Sequence, residues 1–290
     1  MSATCNGVID TGFVALGYAK VALLGVVQGI TELLPISSTA HMRVVPALLG
    51  WQDPGSAFSG AMQMAALVGI VSYFWKDIAA LAAGSTRAAL KGDFKDRDFG
   101  MVAFILIGTI PVVIAGLALQ KVLNACNSPM RGVAVIGVAC LVMSALLALT
   151  EIIAKHRRTM EQASVVDVVL VGIAQAFALI PGVSRSGSTL TAALALGFKR
   201  EEAARFSFLL GLPATLLAGL KEVAELHKAH LDGHGWSILA VGMIVGALSS
   251  VAAIWGLMRF LERFSTWPFV AHRAALGVLL LAGATYGFIH

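Results

Sequence analysis

The sequence predicts an all-α polytopic membrane protein built from two inverted-topology repeats, with six full transmembrane helices and two re-entrant helical hairpins. Hydrophobic residues make up 58% of the 290-residue chain and charged residues 13%, with a mean hydropathy of +0.85. A water-soluble domain carries about 25% charged residues. The apolar residues fall in stretches of roughly 20, the length that crosses a hydrocarbon core. The chain also repeats itself near its midpoint. Together these features exclude a soluble helical bundle.

Six apolar stretches run uninterrupted, at about 57–75, 101–120, 131–154, 204–224, 236–258 and 271–289. Two more, about 13–49 and 165–199, are broken midway by Pro, Gly and clustered Ser and Thr. Broken backbone at membrane depth is tolerated only where protein or a wet cavity satisfies the freed polar groups. These two regions are therefore expected to be the re-entrant hairpins. Met1 to Tyr18 has no basic region and no small-x-small cleavage site, so a cleaved signal peptide is not expected. Cys5, Cys126 and Cys140 have neither metal-ligand spacing nor the even count of a disulfide framework, and read as apolar filler. The net charge of +5 and pI near 9.3 come without a basic stripe interleaved with aromatics, which excludes nucleic acid as a partner.

The internal repeat aligns Gly25 with Gly172, Gln28 with Gln175 and Ser37 with Ser184, each pair 147 residues apart; Pro35 and Pro181 fall one residue out of register. One integral membrane domain over 1–290 is expected, with repeat one at about 13–154 and repeat two at about 165–290. Each half would hold a broken hairpin and three spans. An odd number of spans turns the second half upside down. Inverted repeats with broken helices place their site near the midplane, where the halves meet.

Loop charges orient the chain. One side receives Lys76, Arg87, Lys91, Lys95, Arg97, Lys155, Arg157, Arg158, Lys199, Arg200, Arg205, Arg259, Arg263 and, at its margin, Arg273, which is 14 of the 21 basic residues. The other side holds Lys20, Arg43, Lys121, Arg131, Lys221 and Lys228, leaving Arg185 for the site. The positive-inside rule makes the first side cytoplasmic. Both termini and the opening of the first hairpin then face the periplasm. The stretch Lys91 to Asp98 reads as a solvated connector.

Ionisable groups inside apolar segments are costly and point to function. Gln28 and Glu32 lie four residues apart, on one helix face. Pro35 ends that helix; Ser37, Ser38 and Thr39 are good N-cap residues for the next, and His41 falls in its first turn. Each has a plainer reading: a buried ion pair for Glu32, an interfacial histidine for His41, a helix-packing amide for Gln28. The second break reads Pro181-Gly182-Val183-Ser184-Arg185-Ser186-Gly187-Ser188-Thr189. Glycines let successive N–H groups curl into an anion nest at a helix N-terminus. Ser184, Ser186, Ser188 and Thr189 add hydroxyls, and Arg185 adds a planar fork for phosphate oxygens. A helix-packing turn is the plainer alternative there, and an arginine at its centre argues against it. The loop is not a Walker A motif, which ends in Gly-Lys-Ser/Thr. From the residues alone, the chain handles phosphate within the bilayer, as an enzyme or a transporter.

Residues 28–41, Gln-Gly-Ile-Thr-Glu-Leu-Leu-Pro-Ile-Ser-Ser-Thr-Ala-His, resemble the first signature of the undecaprenyl-diphosphate phosphatases, and Pro181 to Thr189 resembles the second. Glu202 to Leu210 and the lone Gln63 are also similar. The resemblance spans most of the chain, and both signatures are long. Position 28 departs from the pattern, with Gln where many members have Glu, and so does Met62-Gln63-Met64-Ala65-Ala66. A carboxamide is no general base, which leaves that role to Glu32.

The resemblance implies hydrolysis of undecaprenyl diphosphate to the monophosphate and inorganic phosphate. It also implies carrier-lipid recycling for peptidoglycan synthesis, bacitracin resistance and a multi-pass protein of the bacterial inner membrane. A divalent cation, Mg2+ or Ca2+, is implied, with Glu32 as its ligand. The expected catalytic residues are Glu32, Ser38, His41 and Arg185. The expected phosphate-binding residues are Ser37, Thr39, Gly182, Ser184, Arg185, Ser186, Gly187 and Thr189, with Gln28 in support. Two nucleophiles stay open at this point: Ser38 activated by His41, or water activated by Glu32 or His41. The alternative function is a prenyl-phosphate lipid transporter or flippase. The partners are the lipid substrate and the bilayer, and homo-oligomer formation is left open.

Overall fold

The computed structural model describes residues 4–5, 8–119, 122, 130, 132–287 and 289. Lys121, Arg131 and Cys126 lie outside them. The helices in order are α1 (Phe13–Leu33), α2 (Ser38–Leu48), α3 (Ser56–Ala61), α4 (Gln63–Tyr73), α5 (Trp75–Lys91), α6 (Arg97–Ala118), α7 (Val133–Ile153), α8 (Val165–Phe177), α9 (Arg185–Ala195), α10 (Arg200–Lys228), α11 (Gly233–Arg263) and α12 (Trp267–Tyr286). A two-residue antiparallel pairing of Thr4–Cys5 with Val8–Ile9 precedes α1.

Six of these helices, α1, α6, α7, α10, α11 and α12, are long and apolar enough to cross a membrane. The chain is an all-helical multi-pass membrane protein. Two segments differ from the sequence expectation. The first arm of the first broken region, α1, reaches spanning length at 21 residues when the turn before Gly17, where the backbone leaves the helical region (φ 72°), is counted with it. Stretch 57–75 is instead α3 and α4, and continues into α5 through a 78° bend. The 76–100 loop is mostly this α5 helix. Its charges interrupt the apolar run in sequence but share its surface with an apolar face that packs against α6. Only 92–96 separates it from α6, where Asp96 caps the backbone N–H groups of Asp98 and Phe99.

The two breaks share one backbone device. Pro35 drives Leu34 out of the helical region (φ −72°, ψ 146°) and ends α1. After each break a serine adopts positive φ, Ser37 at 72° and Ser184 at 67°, a conformation uncommon for a residue with a Cβ. Each caps an 11-residue helix, the Ser37 hydroxyl accepting from Ala40 N–H and the Ser184 hydroxyl from Gly187 N–H. Eleven residues rise about 16 Å, half of a bilayer core of about 30 Å. Neither α2 nor α9 can span alone.

Small residues bring the halves together, as they do for membrane helices, where close backbone approach replaces the hydrophobic drive. α1 lays Gly25 and Gly29 on Gly242, Gly246 and Ser249 of α11; a Cβ at Gly25 would sit 2.6 Å from Gly242 O. α8 lays Gly172 on Gly108 of α6, where a Cβ would sit 2.5 Å from Gly108 O. Each half's first arm thus packs on the other half's helix. At one end, buried Glu151 of α7 accepts from Arg200 Nε (2.9 Å) and Thr266 Oγ1 (2.7 Å), locking the starts of α10 and α12 together. Arg158 donates to Asp167 Oδ1 (3.0 Å) and Leu196 O (2.9 Å), pinning both arms of the second hairpin.

Gly29→Val forces side-chain atoms into Ser249 Oγ and Gly246 O. It is expected to cost about 1–3 kcal/mol and to lower the apparent Tm in detergent. Gly116→Val, where nothing lies within 4 Å, leaves the Tm unchanged. Equal Tm values for the two variants would contradict the packed seam.

Candidate active site between the two hairpin breaks

The last two turns of α1 carry Gln28 and Glu32 on one buried face. Gln28 Nε2 donates to Glu32 Oε2 (3.1 Å), and Ser38 Oγ, at the start of α2, donates to the same oxygen (2.6 Å). From the other break, Arg185 brings Nη2 to 3.4 Å from Glu32 Oε1, while its Nη1 donates to Gly211 O (2.8 Å). Gly211 leaves room for the guanidinium, since a Cβ there would lie 2.6 Å from Arg185 Nη1. At 3.4 Å the Arg185–Glu32 contact is longer than a tight charge-assisted bond, so the guanidinium retains donor capacity. A carboxylate, a hydroxyl and a guanidinium from opposite halves thus meet at one point.

Sequence spacing had grouped more residues there than the structure does. Ser186 Oγ lies 3.0 Å from Glu32 O and 3.1 Å from Leu34 O, so it ties the second tip to the first. Thr189 is fully buried, donating to Arg185 O (2.8 Å) and touching Ser207 Oγ. Ser188 Oγ also donates to Arg185 O. Ser37 and Ser184 act as the caps, Ser184 also meeting Ser186 Oγ at 3.2 Å; Thr39 is exposed. Gly182 is buried with φ 94°, and Gly187 lets Arg273 pass, a Cβ there lying 2.5 Å from its Nη1. His41 stands apart from the Glu32 cluster: its Nδ1 faces Ser37 O (2.8 Å) and its Nε2 faces His272 Nε2 (2.9 Å).

Arg273 corrects the loop assignment. Rather than lining the margin of a cytoplasmic loop, it is 1% exposed, between the two tips. Nη1 donates to Pro35 O (3.1 Å) of the first break; Nη2 donates to Gly182 O (2.6 Å) and Val183 O of the second. Its signal was its position two residues inside the apolar stretch 271–289, where a cation is functional by default. No ion pair to Arg273 exists among the described residues. The tips therefore hold one buried and one half-buried guanidinium against one carboxylate, an excess of positive charge that favours an anion. His272 was not singled out by any motif. Gln175, the counterpart of Gln28, is fully buried with neither amide atom bonded among the described residues; where Gln28 has Glu32, it has Leu179.

The family model described as bacitracin resistance protein BacA matches residues 21–279. An undecaprenyl-diphosphatase 2 of Mesorhizobium japonicum is 66% identical over 262 residues, 90% of this chain and 99% of its own length. The undecaprenyl-diphosphatase of Gloeobacter violaceus is 49% identical over 94% of each chain. That of Synechococcus elongatus is 46% identical over 91% of this chain and 92% of its own.

Arg273→Met leaves three buried carbonyl oxygens without this donor. Each unsatisfied group costs about 1–3 kcal/mol, so the apparent Tm of the purified protein is expected to fall steeply. An unchanged Tm would mean that the carbonyls find other donors.

Proposed function

The chain belongs to the bacitracin resistance protein BacA family, and we propose that it hydrolyses undecaprenyl diphosphate to undecaprenyl phosphate and inorganic phosphate. The observation that carries this reading is the meeting of Glu32, Ser38 and Arg185 across the two breaks. A lipid carrier needs an anion site, but it has no use for a hydroxyl held on a carboxylate beside that site. Consumption of the diphosphate, the species bacitracin sequesters, accounts for resistance.

The Ser38–Glu32 contact supports Ser38 as nucleophile and Glu32 as its base, in preference to His41, whose two nitrogens are engaged elsewhere. Ser38 Oγ attacks the terminal phosphorus as its proton passes to the Glu32 carboxylate. The bond from that phosphorus to the bridging oxygen breaks, and the lipid monophosphate leaves. Water then attacks the phosphoserine; the Ser38 oxygen leaves with the proton held by Glu32, and dihydrogen phosphate departs. Arg185, with the N-terminal end of α9 behind it, holds the phosphoryl oxygens whose charge the reaction redistributes.

Among the described residues no three His, Cys, Asp or Glu side chains gather to hold a metal alone. A hard cation of the Mg2+ or Ca2+ class needs only one or two carboxylates when substrate phosphates complete its shell. Glu32, a carboxylate among hydroxyl and carbonyl oxygens, fits that requirement. When bound there, the cation would supply charge neutralisation on the phosphate oxygens.

The reading takes both broken regions as re-entrant hairpins of inverted repeats, in the bacterial inner membrane, with the site opening to the periplasm. The basic bias supports this orientation: with Arg273 withdrawn to the site, thirteen loop cations still face six.

The test is phosphate release from undecaprenyl diphosphate by the purified protein, with and without chelator, beside Ser38→Ala. Release is expected for wild type, lost with chelator, and reduced by about 10⁴-fold or more in Ser38→Ala. Full activity in Ser38→Ala would make water the nucleophile. No release from folded wild type would favour the carrier reading.

A further inference from the structure

His41 and His272 meet in a geometry that the reaction described above does not use. Their Nε2 atoms are 2.9 Å apart, the ring planes differ by 3°, and the ring centres are 5.2 Å apart. Rings stacked face to face could not bring two edge nitrogens this close. Coplanar rings meeting head to head reproduce all three values. That is the arrangement of a linear N–H···N hydrogen bond, which requires a donor on one side and a bare nitrogen on the other.

The backbone assigns the roles. His41 Nδ1 lies 2.8 Å from Ser37 O, an acceptor only, so Nδ1 carries a proton. In neutral His41 the Nε2 is then bare, and His272 Nε2–H donates to it. One added proton, taken by the outer nitrogen of His272, keeps the bond. A second makes both rings imidazolium, and two donors face each other.

We propose that His272 is a positioning residue for the hydrolysis, holding Ser38 on Glu32 through His41 and the backbone of Ser37. His272 and Arg273 are consecutive on α12, and they grip the two ends of one break. Arg273 holds Pro35 O directly. His272 holds the His41 ring, which holds Ser37 O. Between these anchors Ser37 keeps its positive φ, and the next residue is Ser38, whose hydroxyl reaches Glu32. A strained residue persists only when its surroundings over-determine it, and these two contacts, with the Ala40 N–H on the Ser37 hydroxyl, supply the determination. The titratable and charged groups around this turn are Glu32 from α1, Cys140 from α7, His272 and Arg273 from α12, and Arg43 of α2 itself, which is paired with Asp53. Of these, His272 is the one hydrogen-bonded to a His41 nitrogen. It is also exposed, so bulk pH reaches the pair. Double protonation at low pH releases the ring, and with it the Ser38–Glu32 alignment.

This inference rests on the hydrolase reading, and one experiment separates the two. Phosphate release from undecaprenyl diphosphate is measured between about pH 5 and 8, the range in which histidine changes charge, for wild type, His272→Leu and His272→Gln. Misplacing a reacting group by an ångström costs about 10²-fold, so His272→Leu is expected to lose that much kcat with KM nearly unchanged. His272→Gln can donate to, or accept from, His41 Nε2 but cannot titrate. It restores most of the kcat and flattens the acid limb of the pH profile. Wild-type kcat and profile in His272→Leu, or a folded His272→Gln as slow as His272→Leu, overturns the proposal. If His272→Leu fails to fold, the acid limb of His272→Gln decides alone: flattened supports the proposal, unchanged overturns it. No release from wild type at any pH would instead sink the hydrolase reading.

Discussion

Breaking a helix at membrane depth strands carbonyl oxygens where no water can satisfy them, and the fold answers that cost with one guanidinium. Arg273 donates to Pro35 O from the first break and to Gly182 O and Val183 O from the second. The need is physical before it is chemical, because an unsatisfied carbonyl in hydrocarbon costs several kcal/mol. Meeting it with a cation has a consequence. The residue that makes the broken helices tolerable also leaves positive charge between their tips. An environment that favours an anion follows from the way the backbone is repaired.

The two breaks share a backbone and differ in side chains. Ser37 and Ser184 have the same positive φ and the same capping role, 147 residues apart. Glu32 corresponds to Leu179, and Ser38 to Arg185. One tip thus carries an acid and a hydroxyl, and the other carries the cation. Identical tips would bring like charges together; divergence makes them complementary. The seams that hold this meeting rigid lie elsewhere, in Gly25 and Gly29 against α11 and Gly172 against α6.

Most of the fold was legible because apolar length and proline breaks are local signals. The 57–75 stretch continues past its end into α5, and a run of hydropathy cannot reveal the 78° bend that joins them. In the site, Gln28, Glu32, Ser38 and Arg185 were found from motif and burial cost, and they do meet. Ser186 and Thr189 carry the right chemistry for phosphate, but their hydroxyls are turned to protein carbonyls. Spacing gives residue types and not side-chain direction. Arg273 was hidden by sitting two residues inside a stretch whose edge was drawn as loop. His272 has no local signal at all, since its meaning depends on a partner 231 positions away.

The central claim is that one substrate phosphate is held by a cation from the second break while a nucleophile from the first attacks it. Phosphate release by Arg185→Ala, purified and folded, tests it most directly. The account predicts a loss of about 10²–10³-fold in turnover, the scale of removing one charge-stabilising donor, with the protein still intact. Near-normal release from undecaprenyl diphosphate by that variant would contradict it.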